Sequence, residues 1–371
     1  MLSISSKTMS ISSKTCNAIL ALTRLGIGHD APQLTEAVDW AEIEAVARQH
    51  GLTAVVLDGI GEFRKHDPQI DIPTRQQFAQ WIGKVMKNYE RKTEMYRQTI
   101  SEMAGFYNSH GFKMMIVKGY ACSLNWPRPD HRPCGDIDIW LFGRQKEADE
   151  VLSKEKGIKI HNSEPHHSVY YWHEVMVENH YDFINVHHHR SNVAFESILK
   201  ELGQDDTHFI DINGEKVYMP SPKLHALFLL KHNMNHFAAE GIILRQLLDW
   251  AFFVKAYGKE LDWTWFTSVL EKFGMMPAFD IFNAICVEDF GFDASLFPAY
   301  KVDPELKNRV LMDIFKPEVP QNLPSGLFRR VIFKLRRFKA NAWKHELCYN
   351  DSMWSAFWRG VWNHLIKPSI I

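Results

Sequence analysis

The sequence contains little cysteine and none of the spacings by which cysteines usually cross-link a fold. Its five cysteines are Cys16, Cys122, Cys134, Cys286 and Cys348. They are scattered, odd in number and never in CxxC spacing, which argues against both a zinc knuckle and a disulfide framework. We therefore expect reduced thiols and a cytoplasmic protein.

Excess charge of one sign and long apolar runs are also missing. The 371 residues include 43 Lys and Arg against 44 Asp and Glu, a net charge of −1. No overall field steers such a chain towards nucleic acid, although a local patch remains possible. No apolar stretch approaches the ~20 residues needed to cross a bilayer. The apolar run after the Ser-rich N-terminus is interrupted by Arg24 without a small-residue cleavage site, so we predict no signal peptide.

What the sequence does contain is three zones of different pattern. Residues 1–110 are predicted to be helical, with Asp39 as the N-cap of one helix and a long amphipathic helix from about 74 to 110. Residues 111–220 mix short strands and helices and include a hairpin turning on Asn213 and Gly214. Residues 221–371 are again helical. The prediction is an α+β fold in which a small mixed β-sheet lies between two helical regions.

The segment "RPCGDIDIWL", residues 132–141, places two aspartates one residue apart before an apolar run. If Ile137, Ile139 and Leu141 point into a core, alternation puts Asp136 and Asp138 together on the other face of a strand. Two such carboxylates repel unless a cation lies between them, and Mg²⁺ prefers oxygen ligands of this kind. Taken alone, the pattern is more often a solvated edge strand.

A strand-to-helix turn precedes this segment. In "VKGYACS", Lys118 and Gly119 lie where a strand gives way to a short helix, whose free backbone N–H groups can bind an anion. An ordinary β–α turn that needs a glycine is the simpler explanation of this pair. Together with Asp136 and Asp138, however, the turn would place groups that donate hydrogen bonds to a phosphate opposite metal-binding carboxylates. This combination is much rarer than either part.

Residues 116–141, "IVKGYACSLNWPRPDHRPCGDIDIWL", resemble the signature of the nucleotidyltransferase superfamily with a polymerase-β-like palm. They are closest to its bacterial, poorly characterised branch, in which Lys-Gly precedes a Pro- and Arg-containing loop and Gly-Asp-x-Asp. The flanking helices, with "KHNMNH" and "LRQLLDW" after the sheet, extend the resemblance to most of residues 39–290.

The resemblance implies transfer of a nucleoside monophosphate from a nucleoside triphosphate to an acceptor, with release of pyrophosphate. By position, Asp136 and Asp138 would bind Mg²⁺ or Mn²⁺. The nucleotide would be held by four residues: Lys118, Gly119, Arg132 and Gly135. For Arg132, pairing with a carboxylate to shape the loop is an equally good alternative.

A third carboxylate, often found as Glu-x-His on a later strand, is expected in this branch. We predict strands at "SVYYWHEVMV" and "YDFINVHHH", joined by "ENH", and the second places Asn185 and His187 at that position. Asn185 can offer an oxygen to a metal but cannot act as a base. His187 would then be the proton acceptor. The alternative is a catalytically inactive nucleotide- or protein-binding module derived from the same fold.

A basic segment near the C-terminus could support a further interaction. Residues 329–344 contain seven Lys or Arg and no acidic residue, and an apolar stripe runs from Phe328 along one face. A basic amphipathic helix at 328–344 is typical of peripheral membrane contact or of an acidic acceptor. More often such a stripe packs against its own domain. The sequence leaves the acceptor open, with a small molecule, a glycan or a protein favoured over nucleic acid.

Overall fold

The computed structural model describes residues 11–34, 37–66, 73–162, 166–187, 189–319, 326–356 and 358–359. The first helices follow the predicted N-terminal zone: α1 (Ser13–Gly26), α2 (Trp40–Gln49), α3 (Thr53–His66), α4 (Arg75–Val85) and α5 (Arg91–Ser109). Asp39 caps α2 as predicted, because its carboxylate accepts hydrogen bonds from two backbone N–H groups of the first turn. The predicted long helix is present as α4 and α5, which are joined by a π-helical segment, Met86–Glu90.

The central zone forms one mixed sheet. Its strands are β1 (Met115–Ile116), β2 (Ile137–Trp140), β3 (His167–Trp172), β4 (Val175–His180), β5 (Phe209–Ile212) and β6 (Glu215–Tyr218). Their order is β3-β4-β2-β1-β6-β5. β2 runs parallel to β4 and antiparallel to β1, so it lies in the middle of the sheet. The hairpin of β5 and β6 turns on Asn213 and Gly214, both with positive φ, as predicted.

Helices complete the central and C-terminal zones. The short helix α6 (Tyr120–Ser123) follows β1, α7 (Gln145–Lys156) packs against the sheet, and α8 (Arg190–Leu202) packs against the first C-terminal helix. The C-terminal helices are α9 (Pro222–Ala239), α10 (Leu244–Tyr257), α11 (Trp263–Lys272), α12 (Met276–Ala284), α13 (Pro304–Phe315), α14 (Leu327–Ala340) and α15 (Ala342–Cys348). The predicted α+β class with a small mixed sheet is confirmed.

Two apolar cores hold β2 in place. Ile137, Ile139 and Leu141 enter a core with α5 and α7, as alternation predicts. Trp140 enters the other core, in which apolar residues from the N-terminal and C-terminal helices pack together. Because β2 is buried on both sides, its polar side chains are fixed by their surroundings rather than by solvent.

The predicted strand at "YDFINVHHH" is wrong. β3 and β4 form a hairpin whose two-residue turn is His173 and Glu174, and "ENH" belongs to β4 rather than to a linker. His173 adopts a φ of 53° without being glycine or asparagine, so the turn carries no recognisable sequence signal. After His180 the chain leaves the sheet, and Phe183 and Ile184 are buried in the helical core.

Candidate active site

Asp138 is the most deeply placed carboxylate of the sheet. It lies in β2 and is fully buried, whereas Asp136, just before the strand, is partly exposed. One oxygen of Asp138, Oδ2, makes no hydrogen bond. A buried carboxylate oxygen without a partner is costly, and such an atom commonly faces a ligand or ion.

Glu178 supplies the third carboxylate. β4 is parallel to β2, and Glu178 lies directly opposite Asp138 in the register. His180 follows two residues later on the same face, so the expected Glu-x-His is "ENH", residues 178–180. Carboxylate and imidazole atoms of Asp138, Glu178 and His180 lie within 4.8 Å of one another. We refer to Asp136, Asp138 and Glu178 as the carboxylate cluster.

Two cationic groups contact the carboxylate cluster. The Lys118 ammonium lies 2.7 Å from Asp138 Oδ1. His180 Nε2 lies 3.0 Å from the same oxygen and 3.6 Å from Glu178 Oε2. The sequence suggests that Lys118 lies apart from the acids and binds a phosphate. In the structure its ammonium instead pairs with Asp138.

The buried charges shift one another's pKa. Burial raises the pKa of Asp136 to about 6, and the charge of Asp138 adds to the effect. Burial also acts to raise the pKa of Asp138, but Lys118 and His180 outweigh it and lower the pKa. His180 shows the reverse balance, since hydrogen bonds to Asp138 and Glu178 overcome burial and raise its pKa to about 9. Asp138 and Glu178 are thus held as anions by neighbouring cations, whereas the raised pKa of Asp136 makes this carboxylate easier to protonate.

The two predicted glycines occupy different places. Gly119 has a φ of 59°, and an added Cβ would meet the carbonyl oxygen of Asp136 at 3.3 Å. Only glycine lets the Lys-Gly turn approach β2 this closely. Gly135 is exposed, with nothing within 4 Å of a Cβ at that position. α6 is a single turn of four residues, so the helix itself offers little to an anion.

Arg132 pairs with a carboxylate and shapes the loop, which is the second of the two alternatives that the sequence left open. It is 4% exposed and forms a bidentate pair with Asp249 of α10, at 3.0 Å from Nε to Oδ1 and 2.8 Å from Nη2 to Oδ2. Its third nitrogen donates to the backbone oxygen of Pro133. Arg245 donates to that same oxygen at 2.6 Å, and its buried Nε makes no hydrogen bond. Arg245, rather than Arg132, therefore has a nitrogen near the loop that can still donate a hydrogen bond.

The predicted pair Asn185 and His187 lies outside the sheet. Asn185 is on the irregular segment after β4, and its side-chain oxygen accepts a hydrogen bond from the backbone N–H of His187. Its backbone oxygen accepts one from Asn192 at the start of α8. His187 is exposed. The strand register proposed for these two residues is therefore wrong, because they stabilise a loop.

His232, on helix α9, interacts electrostatically with groups of the carboxylate cluster. Burial, followed by the charge of Lys118, lowers the pKa of His232 well below its usual value, and Asp138 and His180 also act on it. Its ring lies 4.4 Å from that of His236, which is hydrogen-bonded to Glu240. The histidines at i and i+4 in "KHNMNH" form one helical face, and this spacing was the available signal.

The carboxylate cluster fits a divalent cation. Asp138 and Glu178 lie within ligand distance of one another, Asp138 has a buried oxygen lacking a hydrogen bond, and Asp136 lies two residues before it. Carboxylate oxygens are the ligand type that Mg²⁺ and Mn²⁺ prefer. The ammonium of Lys118 and the imidazole of His180 already balance part of this negative charge. Acids on adjacent parallel strands, faced by a Lys-Gly turn, define a nucleotidyltransferase-type palm.

The family comparison agrees with this class. The sequence model of a family described as uncharacterised nucleotidyltransferases matches residues 36–291, more than half of the chain, and the protein belongs to that family. No curated protein and no solved structure gives a significant match. Among the described residues, no helix is both long and apolar enough to span a bilayer.

Proposed function

We propose that the protein is a divalent-metal-dependent nucleotidyltransferase that moves a nucleoside monophosphate from a nucleoside triphosphate to an acceptor hydroxyl. The observation that carries the proposal is the parallel register of β2 and β4, which brings Glu178 directly opposite Asp138. With Asp136 two residues before Asp138, the chain has the three acids that this reaction uses. Mg²⁺ or Mn²⁺ is the expected cofactor.

The chemistry needs positioned charge more than covalent participation by the protein. The acceptor oxygen forms a bond to the α-phosphorus, the bond from that phosphorus to the bridging oxygen breaks, and pyrophosphate leaves. A bound divalent ion would neutralise charge on the phosphates. Asp136, Asp138 and Glu178 would hold it, and Glu178 is our candidate to take the acceptor proton.

Cationic side chains would hold the phosphates. Lys118 balances Asp138 in the present structure, and it could move to the phosphates once a metal ion balances the acids. Arg245 lies beside the loop before β2 and acts electrostatically on Asp136. Gly119 and Gly135 have no side chain and would therefore let the protein backbone approach the nucleotide closely. Arg132 would act only by fixing the loop through Asp249.

Pyrophosphate release tests the proposal. The four nucleoside triphosphates are incubated with Mg²⁺ or Mn²⁺ and a panel of sugars, glycans and protein acceptors, and thermal shifts report binding in parallel. We expect metal-dependent binding of a triphosphate and its loss in Asp138→Asn and Glu178→Gln. Asn185→Glu is the matched control and should change neither metal affinity nor turnover. A Glu178→Gln variant with the parent's metal affinity would contradict the assignment.

The alternative is an inactive nucleotide- or protein-binding module of the same fold. Its main support was the replacement of the third acid by Asn185, and Glu178 removes that argument. Nucleotide binding without pyrophosphate release, across the acceptor panel, would favour this alternative.

The proposed location is the cytoplasm, which suits four buried free thiols and one partly exposed thiol.

We also propose that residues 328–344 make peripheral membrane contact. α14 and α15 cover this segment, and Ile332 and Leu335 are 50% and 46% exposed on the basic helix α14. An apolar side chain beside Lys and Arg suits an anionic lipid surface. The same surface would suit a lipid-linked acceptor.

A further inference from the structure

A second group of potential metal ligands lies away from the carboxylate cluster. The turn Pro129–His131, in the loop between α6 and β2, faces the π-helical segment Met86–Glu90. There, ligand atoms of Glu90, Asp130 and His131 lie within 4.8 Å of one another. We call these three residues the loop cluster. π-helical segments inside long helices are often found at functional sites, since they re-aim a side chain.

His131 is the residue that points to a ligand. It is only 2% exposed, and its Nδ1 lies 2.6 Å from Asp58 Oδ2. Its other nitrogen, Nε2, is buried without a hydrogen bond and lies 3.5 Å from Glu90 Oε1. When Nδ1–H donates to Asp58, the Nε2 lone pair faces the carboxylate of Glu90. Two electron-rich atoms at this separation repel unless a proton or a metal cation lies between them.

This arrangement matches the second shell of metal-binding histidines. A ligating imidazole usually donates its other N–H to a carboxylate, which fixes the tautomer and the ring orientation. Asp58 is in that position, and Glu90 and Asp130 add two carboxylates around Nε2. Imidazole nitrogen and carboxylate oxygen are both ligand types that Zn²⁺ accepts, and three protein ligands would leave a fourth position for water.

Arg128 is the competing cation. Its guanidinium lies 3.3 Å from Asp58, 3.5 Å from Glu90 and 3.5 Å from Asp130. These distances exceed those of strong charge-assisted hydrogen bonds, and the side chain is half-exposed at the edge of the cluster. Arg128 therefore offsets the acidic charge from outside without giving Nε2 of His131 a partner.

We propose that the loop cluster is a zinc site that joins the long N-terminal helix to the loop preceding β2, with His131, Glu90 and Asp130 as ligands and Asp58 orienting His131. The site is independent of the nucleotidyl transfer proposed above. Its role is to fix the position of residues 127–133, from which Arg132 reaches Asp249 and after which Asp136 begins the carboxylate cluster.

The test uses the full chain with the carboxylate cluster disabled by Asp138→Asn and Glu178→Gln. Zinc content after dialysis and zinc titration by calorimetry are measured in this background. We expect one Zn²⁺ per chain, affinity at least 100-fold lower after His131→Gln, and 10- to 100-fold lower after Asp58→Asn. Glu90→Gln, at a partly exposed position, serves if His131→Gln does not fold.

Arg128→Met distinguishes a loop cluster that binds zinc from one in which Arg128 is the only cation. If zinc and Arg128 compete for the same acids, this variant binds Zn²⁺ at least as tightly as its background and gains more thermal stability from it. Equal zinc affinity with and without His131→Gln or Glu90→Gln would overturn the proposal. So would the absence of stoichiometric zinc in both the background and Arg128→Met, because Arg128 would then be the cation the cluster is built for.

Discussion

Replacing Lys118 by Met tests whether its ammonium occupies the cation position of the active site. Asp138 is fully buried and has two partners, Lys118 at 2.7 Å and His180 at 3.0 Å. Removing one partner of a buried ion pair costs about 3–5 kcal/mol. Because His180 remains, we expect the lower end, about 3 kcal/mol of unfolding free energy in the absence of metal.

The same change should strengthen metal binding. In the parent protein a divalent ion must displace the ammonium from Asp138, whereas in Lys118→Met it relieves an uncompensated charge. If the metal recovers the whole ~3 kcal/mol, affinity rises by about 100-fold, since 1.4 kcal/mol corresponds to a factor of ten. Triphosphate binding at saturating metal should weaken, and more than monophosphate binding.

Urea unfolding with and without Mn²⁺, together with Mn²⁺ titration, measures both effects. Lys113→Met is the control, because Lys113 pairs with Asp206 at the exposed surface and should affect neither quantity. Unchanged stability without metal, or weaker Mn²⁺ binding in Lys118→Met, would refute the reasoning. Lys118 would then contribute to the fold or to the phosphates but not to the metal position.

Three further predictions concern buried charge and the C-terminal helices. Lys231 is 1% exposed with its ammonium 4.1 Å from the Tyr349 ring, and burial lowers its pKa to about 7. The unfolded chain then binds more protons between pH 7 and 10.5, so the free energy of unfolding rises with pH in that window. Lys231→Met should stabilise the protein by about 4 kcal/mol at pH 7.5 but only by about 1 kcal/mol at pH 9.5. An equal gain at both pH values, measured by chemical unfolding, would contradict a neutral lysine. Arg132→Met should cost about 3–5 kcal/mol while the added change Asp249→Leu recovers much of it, which a double-mutant cycle measures. Ile332→Ser with Leu335→Ser should reduce co-sedimentation with anionic but not zwitterionic vesicles, and parent protein that sediments with neither would remove the proposed membrane contact.

The sequence predicted elements whose cause is local. Period-two alternation placed Ile137 and Ile139 in the core and thereby predicted β2 with Asp138 on its polar face. Asp39 capped α2, and Asn213 with Gly214 produced the hairpin turn, because each signal depends on neighbours within a few residues. The π-helical segment at Met86–Glu90 was not predicted, since Val85 and Tyr89 keep the i, i+4 spacing of an ordinary α-helix across it.

The third carboxylate was missed because its position depends on a turn without a signal. His173 takes a positive φ where glycine or asparagine is usual, so β3 and β4 were merged and the next apolar segment was taken as a strand. Yet "ENH" was itself a Glu-x-His, with Val175 and Val177 alternating before it. A strand whose register slips by one residue turns every side chain to the opposite face, so an error in the strand boundaries also changes which residues face the site.

Long-range pairing decided which basic residue meets which acid. Arg245 and Asp249 are at i and i+4 on one helix, yet Asp249 pairs with Arg132, 117 positions away. Residues 131–134, which precede Gly135, therefore have two functions in the fold. Arg132 anchors the loop to α10, and His131, one residue earlier, orients away towards Asp58. Alternating anchors of this kind hold the loop from both sides, so a change at either one should move Asp136 relative to Asp138 and Glu178 without touching a metal ligand of the carboxylate cluster.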